Sequence, residues 1–273
     1  MDARDGSRHM STALGFVFVV MVIAMAIGWW WQRVHANANI VDAIWAAGVG
    51  FAAVVMAWAA DGDAWARGLT AMLGVVWAMR LAAHLAGRVG EKEDGRYRYL
   101  REHWQGSQTK FFAFFMGQAV VVILFALPFY GAASNPATTP AIRWLAIVVW
   151  LVSVGGEAVA DRQLRTYRAS GDRSAHQTFR GGLWRFSRHP NYFFEWLHWF
   201  AYVVLAAGAP NALFAWMGPV VMYVFLRYVS GIPFTEAQAI RSRGDDYRRY
   251  QRTTNMFFPW FPKHADEVTH EHD

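Results

Sequence analysis

The hexapeptide Ser187-Arg188-His189-Pro190-Asn191-Tyr192 closes a long basic segment, and Glu195 follows just inside the next apolar run. An imidazole, an amide and a carboxylate at such a boundary are costly in lipid unless they bind something. The segment before them carries Arg162, Arg165, Arg168, Arg173, Arg180, Arg185 and Arg188, with Gly181-Gly182 allowing close backbone approach. Guanidinium groups gathered around one turn suit a phosphorylated ligand, because each can bind phosphate through two parallel hydrogen bonds. Anionic lipid headgroups would accept the same arginines. The interleaved Asp161, His189, Asn191 and Glu195 favour a nucleotide, whose ribose hydroxyls and amide use carboxylates that a lipid patch does not need.

Other ionisable groups sit within apolar runs: Asp42, Arg80, His84, Glu157, His198 and Arg227. Arg80 and His84 are four apart and share a helix face, as do Glu157 and Asp161. Pairing between helices, Asp42 with Arg80, is the simplest use of such charges. The grouping of Asp42, Glu157 and Glu195 toward one end of their spans suggests instead a polar cavity open on that side. In the tail, Glu236, Ile240, Tyr247 and Tyr250 have roughly helical spacing, which predicts an amphipathic helix on the cytosolic surface. Tyr247 and Tyr250, one turn apart, are placed to stack on a base or to sit as interfacial aromatics.

Positioning these groups falls to helices in lipid. With 55% hydrophobic and only 17% charged residues and fifteen Trp, the chain has too little polar surface for a soluble fold of this length. Seven runs approach the ~20 residues a bilayer core requires: Thr12–Trp31, Asn39–Ala60, Trp65–Gly87, Phe111–Tyr130, Ala141–Ala160, Tyr192–Gly208 and Asn211–Ser230. The expected fold is therefore all-α and polytopic, with seven transmembrane helices, cytosolic loops and the C-terminal amphipathic helix. About twenty Lys and Arg fall between alternate spans and in the tail, which places the C-terminus in the cytoplasm of a bacterial inner-membrane type of topology. The same asymmetry accounts for the formal charge of +6 without nucleic acid, for which no motif is present. Residues 1–10 read as a leader or a scar left by cloning. Residues 11–273 read as one domain, 11–140 on the substrate side and 141–273 on the cofactor side. No obligate protein partner is evident. The lack of Cys excludes disulfides and Cys-based zinc or redox sites, and no metal is expected.

Three segments carry a resemblance to a known family. They are Glu157-Ala158-Val159-Ala160-Asp161-Arg162-Gln163-Leu164, the run Gly182 to Glu195 through His189-Pro190-Asn191-Tyr192, and Glu236 to Tyr250 before a Phe/Pro-rich end. Together they resemble the C-terminal domain of the steroid 5α-reductase family. Val41-Asp42-Ala43-Ile44-Trp45 and Glu93 to Arg101 look like its bacterial membrane branch. The resemblance implies a seven-helix enzyme that uses NADPH to reduce a carbon–carbon double bond conjugated to a ketone, as in 3-oxo-Δ4 steroids or another flat apolar lipid. It makes Arg88, Arg165 and Arg168 candidates for the cofactor phosphates. Asp161, Asn191, Glu195, Glu236, Tyr247 and Tyr250 would hold ribose and nicotinamide, and Arg98, Arg188, His189, Tyr192 and Arg241 complete the expected cofactor set. No Gly-x-Gly-x-x-Gly lies between a strand and a helix, so a Rossmann site is not expected.

For the chemistry, the family uses a buried Glu after a Gln in its second span and a Tyr in its third. Here Val41-Asp42 and Trp77 stand near those places. Asp42, held protonated by an apolar pocket, would then donate to the ketone, while His84 or Tyr97 takes the role that Trp77 cannot. The competing reading is an S-adenosylmethionine-dependent membrane methyltransferase of the isoprenylcysteine or phospholipid type, which shares a similar His-Pro-Asn-Tyr turn. Arginines in excess of what a cofactor without phosphate needs favour the reductase.

Overall fold

The computed structural model describes residues 3–170 and 177–263, with side chains from residue 8 onward. Among them every regular element is helical and no strand occurs. Six helical runs are long and apolar enough to cross a membrane: Arg8–His35, Ile40–Ala59, Ala64–Ala86, Gln108–Ala133, Pro140–Ala169 and Ala212–Arg243. The expected span Tyr192–Gly208 is instead divided into α7 (Pro190–His198) and α8 (Phe200–Leu205) by a turn at Trp199, whose amide bonds back only three residues to Trp196. Neither piece alone has the length of a bilayer crossing; α9 (Ala212–Ala215) and α10 (Met217–Val224) then begin the last crossing-length run. Helix α1 (Ala3–His35) already includes most of the segment read as a leader.

The chain forms two units. The first contains the residues up to Ala146 together with Ala201–Val221, so the division falls at Ala146, and Ala201–Val221 belongs with the N-terminal residues. In it α2 (Ile40–Ala59) packs against α1, α3 (Ala64–Ala86) and α5 (Gln108–Ala133). Small residues make the seam between α2 and α3. A Cβ on Gly50 would collide with Ala78, and one on Gly74 with Ala53. Lipid provides no hydrophobic drive for helices to associate, so close backbone approach at such seams supplies the packing. Large apolar side chains face outward on these helices, among them Ile23, Ile27, Met72, Val76 and Met79. One end of the unit is clasped by Asp63, which caps α3 through the Ala66 amide at 2.7 Å and also accepts from the Thr138 hydroxyl at 2.7 Å. Asn135 adds bonds to the carbonyls of Leu205 and Ala207 at 2.7 and 2.9 Å.

The second unit comprises Ile147–Phe200 and the chain from Met222. It contains most of α6 (Pro140–Ala169), a 3-10 turn at Gly182–Arg185, α7, α11 (Ile232–Arg243) and α12 (Asp245–Thr253). The expected tail helix is broken at Gly244, which has φ +54°, a left-handed conformation that a residue without Cβ tolerates. The break folds α12 back on α11, so Tyr247 and Tyr250 are buried against Ala239 instead of lying on a surface.

Candidate functional site

Proline at the first position of α7 has its φ preset for a helix, which fixes where Asn191 falls. Asn191 Nδ2 donates to Asp161 Oδ1 of α6 at 3.3 Å, and both residues are half-buried. Glu195, one turn further along α7 and also half-buried, lies on the same face as Asn191. The adjoining turn is locked by Glu236 of α11. Its Oε1 accepts from Arg188 Nε at 2.7 Å, His189 Nε2 at 3.2 Å and the Tyr247 hydroxyl at 3.3 Å, and its Oε2 accepts from Gln251 Nε2 at 2.9 Å. Arg188 Nη1 donates to the carbonyls of Gln251 and Thr254 at 3.0 and 2.7 Å. Because a carboxylate only accepts, Nε2 is assigned as the protonated nitrogen of His189. Burial lowers this imidazole below its ordinary 6.5, and the Arg188 charge adds to that against the opposing pull of Glu236. The ring stacks on Tyr192 at 5.3 Å, and the Tyr192 hydroxyl meets Thr235 Oγ1 at 3.2 Å.

Further bonds join the turn to α6 and α12. Leu183 N donates to Gln163 Oε1 at 3.0 Å, Trp184 Nε1 donates to the Ala160 carbonyl at 3.0 Å, and the Tyr250 hydroxyl bonds to the carbonyls of Trp184 and Ser187. The side chains of Arg165 and Arg241 are exposed and make no hydrogen bond or ion pair among the described residues; Arg168 is also exposed. Arg173 lies outside the described residues.

In the first unit the connection from α3 to α5 holds the second group of candidates. Asp94 caps α4 (Gly95–His103) through the Arg96 amide at 3.0 Å and pairs with Arg88 at 3.0 Å. Glu93 accepts from Arg101 Nη2 at 2.7 Å and from the Ala38 amide at 2.9 Å, fastening α4 to the start of α2. As a result Asp42 receives two donors, Arg96 Nη2 at 3.1 Å and the Tyr97 hydroxyl at 2.5 Å. Burial first, then the Asp42 carboxylate, pushes the Tyr97 phenol well above its ordinary value, so it keeps its proton at neutral pH. The arginine that meets Asp42 is therefore Arg96, not Arg80. His84 is exposed on α3 and is not among the partners of Asp42, and Arg98 is exposed on α4.

The chain matches, over residues 28–254, the family described as "Protein of unknown function (DUF1295)". It belongs to the DUF1295 family. That family is associated with steroid 5α-reductase-like proteins. An uncharacterized protein of Schizosaccharomyces pombe is 27% identical over 221 residues, covering 70% of this chain and 62% of the relative. The chain thus spans about three fifths of the length of that relative. No solved structure matches it.

Within the DUF1295 match, sequence reasoning missed several partners. Arg96 stood inside the Glu93 to Arg101 motif, but its aim toward Asp42 depends on the cap at Asp94. Gln251 carried no signal beyond its place on α12. Trp45 follows Asp42 by three residues and so shares its face of α2. Its indole Nε1 is buried without a hydrogen-bond partner among the described residues, and its ring packs edge-on against Trp77 and Phe125.

Proposed function

We propose that this chain is an NADPH-dependent membrane reductase of an enone double bond in a flat apolar lipid, 3-oxo-Δ4 steroids being the substrate class the resemblance implies. One observation carries the reading. The three sequence segments that resemble the reductase family, around Asp161, around Asn191 and from Glu236 to Tyr250, are joined by side-chain hydrogen bonds into one body. The Lys and Arg distribution supports a cytoplasmic side for this body and the C-terminus.

The second unit fits a dinucleotide phosphate in its donor set. Arg165 offers an exposed guanidinium with no partner among the described residues. Asp161 and Asn191 offer an acceptor and an amide of the kind ribose hydroxyls and a carboxamide need. Glu236, Arg188, His189, Tyr247 and Tyr250 have their polar atoms bonded to one another or to main chain, so their part is to hold the turn in shape. The bound cofactor would supply a hydride to the β-carbon of the enone.

The chemistry assigned to the first unit is polarisation of the ketone. The Tyr97 phenol holds one proton, which it shares with Asp42; Asp42, also met by Arg96, positions that hydroxyl, and a ketone oxygen would receive the same proton in place of the carboxylate. The indole N–H of Trp45 is a second donor on the same face of α2. Donors preset toward developing enolate charge lower the barrier without reorganising. The test is enone-dependent oxidation of NADPH by purified protein. Turnover with a 3-oxo-Δ4 steroid or a simpler cyclic enone supports the reading. S-adenosylmethionine-dependent methylation of a lipid acceptor, with no enone reduction, would replace it.

A further inference from the structure

After α12 the chain runs back across the second unit as a strap. Arg188 N donates to the Asn255 carbonyl at 2.8 Å, Ser187 Oγ to that of Phe257 at 2.8 Å, Trp260 N to that of Phe186 at 2.9 Å and Lys263 N to that of Thr253 at 2.9 Å. These bonds bring Phe261, Pro262 and Lys263 beside Arg180, Arg185, Thr253 and Thr254, and the seven residues line a cavity of about 420 Å³. Three of the lining residues are cations and none is acidic.

The cations are not equivalent. Arg180 is aimed by Asp246, donating to its Oδ1 at 2.7 Å and its carbonyl at 2.8 Å, and is partly neutralised by it. The side chains of Arg185 and Lys263 are exposed and make no hydrogen bond or ion pair among the described residues, so among those residues two positive charges at this cavity are uncompensated. Like charges gathered without a counter-ion repel one another, and an anion relieves that repulsion. On the same strap Phe258, Trp260 and Phe261 leave large aromatic faces uncovered, Trp260 at 69% and Phe261 at 74% exposure. Aromatic rings next to cations are the pattern of chain that lies at headgroup level, with rings in the interface and charges on lipid phosphates.

We propose that the Arg180, Arg185 and Lys263 cavity is a phosphate-group site, occupied by the headgroup phosphate of an anionic phospholipid. It shares none of Asp161, Asn191 and Arg165 and does not rest on the reductase reading. Arg180, held by Asp246, sets the orientation; Arg185 and Lys263 provide the free charge; the Trp260 and Phe261 rings fix the strap in the interface.

The experiment compares full-length protein with the variant Arg185→Ala/Lys263→Ala in nanodiscs of phosphatidylcholine, with and without phosphatidylglycerol, counting retained lipid by native mass spectrometry. A parallel arm titrates inorganic pyrophosphate into detergent-solubilised protein. Both substitutions are at exposed positions, and an unchanged melting temperature in detergent verifies folding. The expected result is selective retention of phosphatidylglycerol by the parent protein, roughly thirtyfold weaker after loss of two charges, and preserved in Arg185→Lys/Lys263→Arg. Equal retention by parent and double-alanine protein overturns the proposal. Pyrophosphate binding that the double variant loses, without any preference among lipids, keeps the phosphate site and overturns its lipid source.

Discussion

Two clusters in this molecule are built from the same residue types and end in different states. In the second unit Glu236 accepts four hydrogen bonds, and the Arg188 and Glu236 side chains are only 9% and 14% exposed. In the first unit Asp42 accepts two, and Asp42 and Arg96 remain 27% and 32% exposed. A carboxylate whose acceptor sites are filled by protein has little left for a ligand, whereas one with lone pairs to spare and partial access does. The difference separates a frame from a candidate site although both contain Arg, Tyr and a carboxylate.

The largest effect should come from breaking the frame. Arg188→Ala leaves Glu236 buried with a lost partner and two main-chain carbonyls without a donor, and about 3–5 kcal/mol of stability should be lost, measured by thermal or denaturant unfolding in detergent. Asp42→Leu should behave oppositely, with stability nearly kept and enone-dependent turnover down about 10²-fold or more; Tyr97→Phe should follow it. If Asp42 only neutralises Arg96, then Arg96→Leu in the Asp42→Leu background would restore turnover, and the comparison between frame and site would fail.

Much of the second unit was legible in the sequence because its chemistry is written in contiguous motifs: the turn at Ser187 to Tyr192 and the Asp161 segment are each short enough to read. What the motifs did not disclose was how their polar atoms would be spent. Tyr247 and Tyr250 read as residues for a base or an interface, but the break at Gly244 turns them inward, where burial and a carboxylate or carbonyl claim their hydroxyls. The Asp42 pairing was illegible for a related reason. Arg80 was the candidate the apolar runs offered, yet the cap at Asp94 starts α4 so that Arg96 in its first turn reaches Asp42, and where so short a helix begins leaves no periodic trace. Helix runs were readable by length and apolarity except at Trp199, where no Pro or Gly announces the turn that divides α7 from α8.

A smaller effect sharpens the contrast through cofactor choice. Arg165→Ala should narrow preference for NADPH over NADH by about tenfold, the loss of one charge-assisted hydrogen bond to a phosphate, read from the two dissociation constants. The smallest concerns pH. His189 is held below its ordinary value of 6.5 by burial, so the unfolded chain takes up the proton first as pH falls. The His189 contribution to stability is then full above about 6.5 and is lost progressively below it. Melting temperatures measured across this range should show a shallower acid-side decline in His189→Gln than in the parent protein.

The central claim, that Asp161 and Asn191 on their bonded frame hold a phosphorylated dinucleotide, is tested most directly by ligand-induced thermal stabilisation of the parent protein and of Asn191→Ala. The account predicts that NADPH raises the parent melting temperature and S-adenosylmethionine does not, and that Asn191→Ala melts like the parent alone but loses the NADPH shift. An undiminished NADPH shift in Asn191→Ala, or stabilisation by S-adenosylmethionine in place of NADPH, would contradict it.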